Sequence, residues 1–171
     1  MTPIGLYLAL VVAVAVQRLW ETGRSKRNVA ALLARGAEEH GAGHFPVMVA
    51  LHGSWLVACA AEAWFAVPEP PPTVLWVGAL IVLAVGQALR LLAMRALGER
   101  WTARVIVLPG APLVEHGLFR WIRHPNYVGV ILEIAALPLV YGAWRGALAF
   151  SIANALLLRH RIAVEEEALG G

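Results

Sequence analysis

Two short polar segments interrupt an otherwise apolar sequence, and each carries side chains that could bind a charged ligand. In the first, His124 precedes Pro125, Asn126 and Tyr127, and Gly129 leaves room for a close approach to the backbone. Proline is favoured in the first turn of a helix, because its missing N–H leaves no hydrogen bond unmade there. His124 would then lie beside the unpaired N–H groups of a helix N-terminus, where an anion is favoured. The alternative is a helix cap that anchors the chain at a membrane interface.

The second polar segment lies near the end of the chain. In a helix, Arg161 and Glu165 would stack one turn apart. Asn154 would share their face, because it precedes Arg161 by seven residues. The alternative is an exposed salt bridge on a solvated helix end, which is the commoner meaning of such a pair.

A few ionisable residues fall inside apolar runs. Glu133 lies seven residues after Asn126, on the same face of a helix. Because ionisable groups are expensive inside a membrane, Glu133 is a candidate for lining a site, with internal pairing as the alternative. We expect Glu62 to reach the outer membrane interface, and Arg90 and Arg95 to anchor the inner end of their helix.

The elements that must hold these residues are membrane helices. Of the 171 residues, 60% are hydrophobic and 15% are charged, which is too little charge to cover a soluble domain. The apolar residues also form long runs rather than helical stripes. We expect the first run to be a retained helix, and the last two, which are short, to form a helical hairpin. Five transmembrane helices are predicted, at about Pro3–Trp20, Pro46–Val67, Thr73–Leu97, Pro125–Val140 and Gly146–Leu158.

Basic residues are concentrated in alternate connections, which sets a topology. The loops at Pro68–Pro72 and Tyr141–Arg145 hold one basic residue, Arg145. Because basic residues favour the cytoplasmic side, the N-terminus is predicted outside and the C-terminus inside. The net charge of +3 therefore reflects topology and not a nucleic-acid partner. The other connections and the C-terminal segment hold Arg24, Lys26, Arg27, Arg35, Arg100, Arg104, Arg120, Arg123, Arg159 and Arg161.

Two cytoplasmic stretches are predicted to be more than connections. Ser25–Arg35 has the pattern of a short basic amphipathic helix at the lipid surface. Trp101–Arg123 contains the β-branched run Val105–Val107 followed by turn residues, which suits a binding loop. We expect one domain over residues 1–171, with a three-helix membrane part at 1–97 and the binding part at 98–171. No metal site is predicted, because the six histidines are scattered and Cys59 is the one cysteine.

The two polar segments, taken in order, resemble the isoprenylcysteine carboxyl methyltransferase (ICMT) family. The resemblance covers about Leu97–Leu169. The first segment matches as Arg-His-Pro-x-Tyr-x-Gly, and the second, after a hydrophobic hairpin, as Arg-x-x-x-Glu-Glu-x-x-Leu. The matching residues are Arg123, His124, Pro125, Tyr127 and Gly129, then Arg161, Glu165, Glu166 and Leu169.

A narrower resemblance is to a bacterial ICMT-like subgroup that includes alkylpyrone O-methyltransferases associated with type III polyketide synthases. It rests on Arg24–Asn28, Ala34–Glu39, His44–Val49 and Val107–Val114. It implies that the acceptor is the hydroxyl of an alkylpyrone or phenolic lipid, whereas the family's namesake substrate implies a prenylcysteine-type carboxylate. It also implies a functional link to a polyketide synthase.

The family resemblance implies the cofactor S-adenosylmethionine (SAM) and a set of site residues. Arg161 would face the methyl acceptor and Glu165 would face the cofactor. Glu133 and Asn154, which come from helical spacing and not from the resemblance, are further acceptor-side candidates. An arginine next to the acceptor keeps an oxygen anionic and orients it through two hydrogen bonds, so no general base is assigned. At Phe119 this sequence lacks the hydroxyl of the family's usual tyrosine. The cofactor-binding residues implied are Arg104, Ala111, Pro112, Leu113, Val114, Phe119, His124, Pro125, Asn126, Tyr127 and Glu165.

The sequence therefore predicts an all-α integral membrane protein that acts as a SAM-dependent O-methyltransferase at the cytoplasmic face. Phospholipid N-methyltransferases and NADPH-dependent membrane reductases carry similar Arg-His-Pro segments and are the enzymatic alternatives. A non-catalytic lipid-binding protein is a third. It explains the hydrophobic segments, but it gives no reason for two separated polar motifs at one membrane face.

Overall fold

The fold is described by a computed structural model that covers residues 3–67 and 69–170. In this part of the chain it has five α-helices and one pair of short antiparallel strands. The strands are β1 (Glu38–His40) and β2 (Val105–Val107), in register with Glu38 opposite Val107. The helices are α1 (Pro3–Leu33), α2 (His44–Phe65), α3 (Thr73–Leu97), α4 (Pro125–Leu139) and α5 (Trp144–Ala168).

Four of these helices, α1, α2, α3 and α5, are long and apolar enough to cross a membrane. The fifth, α4, has 15 residues, which at ~1.5 Å per residue is shorter than a ~30 Å hydrocarbon core. The prediction of a helical membrane protein is thus confirmed, with four candidate spans and one shorter apolar helix. The bounds predicted for α3 are those observed, and α5 continues beyond Leu158 to Ala168 because no breaker interrupts it.

The prediction of a separate surface helix at Ser25–Arg35 is wrong. Residues 3–33 form a single helix, and one face of the far half of α1 packs against the rest of the protein. Its buried face carries Glu21, Ser25 and Val29 at intervals of four residues, followed by Leu32. This stripe is buried because it meets the segment that follows α3, to which Ser25 and Asn28 are hydrogen-bonded.

The tightest helix contact lies between α3 and α4, where Gly86 faces Gly129. A Cβ atom added to Gly86 would lie 2.9 Å from the carbonyl oxygen of Gly129, and one added to Gly129 would lie 2.7 Å from the oxygen of Gly86. The room predicted at Gly129 is therefore used by a neighbouring helix backbone. This close approach sets how near the polar groups of α3 and α4 come to each other.

At the other end of the bundle, Glu62 of α2 accepts hydrogen bonds from the first turn of α5. Its carboxylate accepts hydrogen bonds from the backbone N–H groups of Arg145 (3.1 Å) and Gly146 (2.6 Å). The unpaired N–H groups of a helix start favour a carboxylate there, so the Glu62 side chain has a partner at this end of the bundle. Next to it, Tyr7 stacks on Tyr141 with 5.3 Å between ring centroids.

Gly86→Ala should lower the unfolding temperature in detergent, because the new methyl group would push α3 away from α4. The expected cost is about 1–3 kcal/mol, the usual range for overpacking. Gly78→Ala is the matched control on the same helix, since no atom lies within 4 Å of its added Cβ. Equal unfolding temperatures for the two variants would show that the α3–α4 contact is not tight.

Candidate active site

One face of the bundle, here called the site face, gathers the ends of α1, α3 and α5 and the starts of α2 and α4. The segment 98–124 crosses it and is tied to α1. Asn28 donates a hydrogen bond to the carbonyl of Trp101 (2.7 Å), and the N–H of Ala103 donates to the Ser25 hydroxyl (2.9 Å). These contacts explain why one face of the far half of α1 is buried.

The two polar segments meet on this face. The Tyr127 hydroxyl donates a hydrogen bond to the Glu165 carboxylate, and His124 Nε2 lies 3.2 Å from Glu166 Oε1. His124 Nδ1 lies 3.9 Å from Glu165 Oε1, and the rings of His124 and Tyr127 stack with 5.5 Å between centroids. The start of α4 and the end of α5 therefore form one polar cluster that can contact a single small molecule.

Arg161 lies beneath this cluster and is nearly inaccessible, with 3% of its surface exposed. Its Nη2 donates to the carbonyl of Ala103 (2.8 Å), and its guanidinium lies 5.9 Å from the centroid of the Tyr127 ring. Over the ranges that the structure describes, Nε and Nη1 have no hydrogen-bond partner, and no ion pair joins Arg161 to Glu165. A buried guanidinium without an anion is costly, so this position favours a ligand that brings an oxygen.

A cavity of about 820 Å³ extends from the polar cluster into the apolar part of the bundle. Its wall is formed by residues of all five helices and of the segment 98–124. All the predicted site residues except Pro112 and Glu133 contribute to its wall: Arg104, Ala111, Leu113, Val114, Phe119, His124, Pro125, Asn126, Tyr127, Asn154, Arg161 and Glu165.

The structure places two of the predicted cofactor-binding residues, Pro112 and Arg104, in other interactions. The carbonyl of Pro112 accepts a hydrogen bond from Arg100 (2.7 Å), and Pro112 is not part of the wall. Arg104 does line the cavity, but its charge is paired with Glu39 (3.1 Å) and its guanidinium stacks on Phe45. The expected backbone and charge contacts of these two residues with a cofactor thus have competitors within the protein.

Glu133 is fully buried and belongs to a network of four charges between α1, α3 and α4. Arg90 forms ion pairs with both Glu21 and Glu133, and Arg18 Nη2 lies 2.9 Å from Glu133 Oε2. The internal pairing that was the alternative for Glu133 is what the structure shows. The prediction that Arg90 anchors the helix at the interface is wrong, because only 2% of its surface is exposed.

We call these four residues, Arg18, Glu21, Arg90 and Glu133, the charge quartet. Its two positive and two negative charges cancel, which lowers the cost of burying them. Sequence reasoning missed Arg18 and Glu21, which lie at the predicted end of the first span. The sequence does carry a signal for them, because ionisable residues that lie in several apolar helices commonly pair with one another. Glu166, the partner of His124, was noticed only as part of a motif.

Comparisons with known proteins identify relatives of this chain. A family model described as "Isoprenylcysteine carboxyl methyltransferase (ICMT) family" matches residues 79–170, which include both polar segments. The chain belongs to the ICMT family. It is 35% identical over 164 residues to the uncharacterized protein YpbQ of Bacillus subtilis (strain 168), covering 96% of each chain. It is 28% identical over 167 residues to an uncharacterized protein of Haemophilus influenzae, covering 97% of this chain and 94% of that one.

Membership of the ICMT family makes this chain a membrane methyltransferase by family. Methyltransferases of the ICMT family use SAM in general, and the matched range includes the start of α4 and the end of α5. Across residues 3–67 and 69–170, no group of three His, Cys, Asp or Glu side chains is placed to hold a metal ion.

Arg90→Gln should destabilise the protein strongly, because it leaves Glu21 and Glu133 without their shared cation. Breaking a buried ion pair from one side costs about 3–5 kcal/mol. The matched control is Arg95→Gln on the exposed side of the same helix. Thermal unfolding of the three proteins in detergent measures the difference, and similar unfolding temperatures for both variants would contradict the role given to the charge quartet.

Proposed function

We propose that this protein is a SAM-dependent O-methyltransferase that acts on a lipophilic acceptor dissolved in the membrane. The observation that carries the proposal is the joining of the two polar segments, through Tyr127 with Glu165 and His124 with Glu166, at the wall of one cavity that also holds the unpaired Arg161. An isolated helix cap or a solvated salt bridge would not require the two segments to meet.

The residues of the polar cluster fit SAM chemically. Glu165 and Glu166 place two carboxylates where the ammonium of the methionine moiety can pair with them. Asn126 Oδ1 is buried and finds no partner within the described part of the chain, so it can accept a hydrogen bond from a ligand. Apolar residues Ala111, Leu113, Val114 and Phe119 line the same end of the cavity. Phe119 offers no hydroxyl, so any contact there is through its ring.

SAM, when bound, supplies a methyl group on a sulfonium that is open to in-line displacement by a positioned oxygen. The task left to the protein is to hold that oxygen in line and in its anionic form. Arg161 keeps two donors, Nε and Nη1, without internal partners, and either can donate a hydrogen bond to the anionic oxygen of a carboxylate or an enolate. Asn154, on the same face of α5, adds a buried Oδ1 that is also unpartnered in the described ranges.

The acceptor would enter from the bilayer between α1 and α2. Leu19 of α1 and Val49 of α2 both line the cavity, yet 73% and 49% of their surfaces are exposed. Since the outside of these helices would face lipid, side chains that are both exposed and cavity-lining mark a lateral opening. An acceptor of this kind is an alkylpyrone or phenolic lipid hydroxyl, or a prenylcysteine-type carboxylate. The first would link the protein functionally to a polyketide synthase.

We further propose that the site face is cytoplasmic, with the N-terminus outside and the C-terminus inside. The support is the distribution of basic residues, which are concentrated in the connections on the site face and nearly absent from the opposite loops. SAM made in the cytoplasm would then reach the polar cluster directly. Both parts of the chain, 1–97 and 98–171, would act as one domain.

Glu165→Gln should weaken the binding of S-adenosylhomocysteine, the product that lacks the methyl group, by at least about tenfold. The reason is that hydrogen bonds to charged groups contribute about 1.5–3 kcal/mol. Glu167→Gln removes the same charge from an exposed position of the same turn and should leave affinity unchanged. Isothermal titration calorimetry measures both, and binding of NADPH instead of S-adenosylhomocysteine by the unaltered protein would refute the proposed function.

Arg161→Ala should lower methyl transfer by about 100-fold or more, the usual effect of removing a donor to a reacting oxygen. Affinity for S-adenosylhomocysteine should stay largely unchanged, since the acceptor and not the cofactor is affected. The assay follows radiolabelled methyl groups from SAM into lipids extracted from membranes that contain the protein. Arg159→Ala, at an exposed position of α5, is the control. Unimpaired labelling by Arg161→Ala would remove Arg161 from the reaction.

A further inference from the structure

The membrane-facing part of the cavity contains polar atoms that the proposed reaction does not use. His52 of α2 and Arg18 of α1 both line the cavity. His52 Nε2 and Arg18 Nε are buried, and neither has a hydrogen-bond partner among the residues described. They belong to different helices from Arg161 and Asn154, the unpartnered groups of α5. The cavity wall therefore carries two separate sets of unsatisfied polar atoms.

The set formed by His52 and Arg18 lies in the apolar part of the bundle. His52 is eight residues into α2 from His44, which is ~12 Å along the helix at ~1.5 Å per residue. A polar atom without a partner is costly in such surroundings, and most such atoms in folded proteins are satisfied. Hydrocarbon cannot satisfy it. A ligand atom that hydrogen-bonds there would remove the cost.

The charge around this set indicates which kind of ligand atom fits. Arg18 is already balanced, because its guanidinium pairs with Glu133 (2.9 Å) and Glu21 (3.5 Å). A further anion is therefore not required, in contrast to Arg161. Arg18 Nε can only donate a hydrogen bond, whereas an imidazole nitrogen can donate or accept. A neutral hydroxyl or carbonyl oxygen can use both groups.

The neighbouring wall supplies the apolar part of such a ligand's environment. Leu19, Met48, Val49 and Leu56 line the cavity between α1 and α2, on the two helices that carry Arg18 and His52. A molecule with its chain between these residues would enter with its head group toward the interior. The head group would meet His52 and Arg18 as well as Arg161.

We propose that His52 and Arg18 bind a second, non-reacting oxygen of the acceptor's head group. The acceptor is then an amphiphile that carries two oxygen functions on one compact head group and a single long apolar chain. One oxygen is held by Arg161 for methylation, and the other, which is neutral, is held by His52 and Arg18. His52 acts here as a specificity-determining residue. This inference rests on the proposed function.

The test compares two amphiphiles that differ by one hydroxyl, 5-pentadecylresorcinol and 3-pentadecylphenol. Each is titrated into detergent-solubilised protein saturated with S-adenosylhomocysteine, whose own affinity is measured separately. We expect the unaltered protein to prefer the resorcinol by about tenfold, the usual effect of one additional hydrogen bond. His52→Leu should remove the preference and leave the affinity for the phenol within about twofold.

Two further variants keep the result interpretable. His52→Gln, whose amide can still hydrogen-bond, should recover part of the preference. His160→Leu makes the same change at an exposed histidine of α5 and should retain all of it. Unchanged affinity for S-adenosylhomocysteine in each variant shows that the fold and the cofactor site are intact. If His52→Leu has lost that affinity, the His52→Gln comparison decides.

Equal affinity of the unaltered protein for both amphiphiles would overturn the inference. An equal loss of affinity for both amphiphiles in His52→Leu would also overturn it, because His52 would then only pack in the cavity wall. If neither amphiphile binds while S-adenosylhomocysteine does, the inferred head-group site is wrong and the cofactor part of the proposed function stands. If S-adenosylhomocysteine itself does not bind, the proposed function fails and the inference fails with it.

Discussion

Charged side chains buried in the apolar part of a helical bundle must find partners there, and this requirement determines the architecture described above. The charge quartet joins α1 to α3 and α4, and the Gly86–Gly129 contact lets α3 and α4 come close enough for Arg90 of α3 to reach Glu133 of α4. With α4 fixed in this way, its first turn at Pro125 has a set position. The end of α5 then meets that turn, and the segment 98–124 is held against both.

The same requirement separates structural polar groups from those available to a ligand. Glu133 and Arg90 are deeply buried and have partners inside the protein. Arg161 and His52 are also deeply placed, but each keeps at least one buried nitrogen without a partner in the ranges that the structure describes. Burial alone does not distinguish these groups, since all lie in apolar surroundings. What distinguishes them is whether the protein itself supplies the opposite charge or the hydrogen bond.

The sequence predicts features that depend on neighbouring residues much better than features that depend on distant ones. The bounds of α3 and the start of α4 at Pro125 follow from local signals, and the structure agrees with them. The partners of Arg90 lie 69 and 43 residues away along the chain, and those of Glu62 lie 83 and 84 residues away. No local pattern specifies such pairs.

The candidate site also divides into features that local sequence specifies and features that depend on distant residues. Most residues expected from the motifs do line the cavity, because the motifs fix residue type and helical face. Pro112 and Glu133 do not, since a carbonyl engaged by Arg100 and a carboxylate engaged by two arginines can be recognised only in three dimensions. The pairing of Glu38–His40 with Val105–Val107 was also not predicted, because three polar residues in a turn-rich stretch carry no strand pattern.

The central claim is that one small molecule binds between the start of α4 and the end of α5. The most direct measurement is an experimentally determined structure of the protein with S-adenosylhomocysteine. The account predicts that the ligand lies against His124 and Tyr127, with its ammonium at Glu165 or Glu166. A ligand bound elsewhere, or a structure in which His124 and Glu165 are too far apart to contact the same molecule, would contradict it.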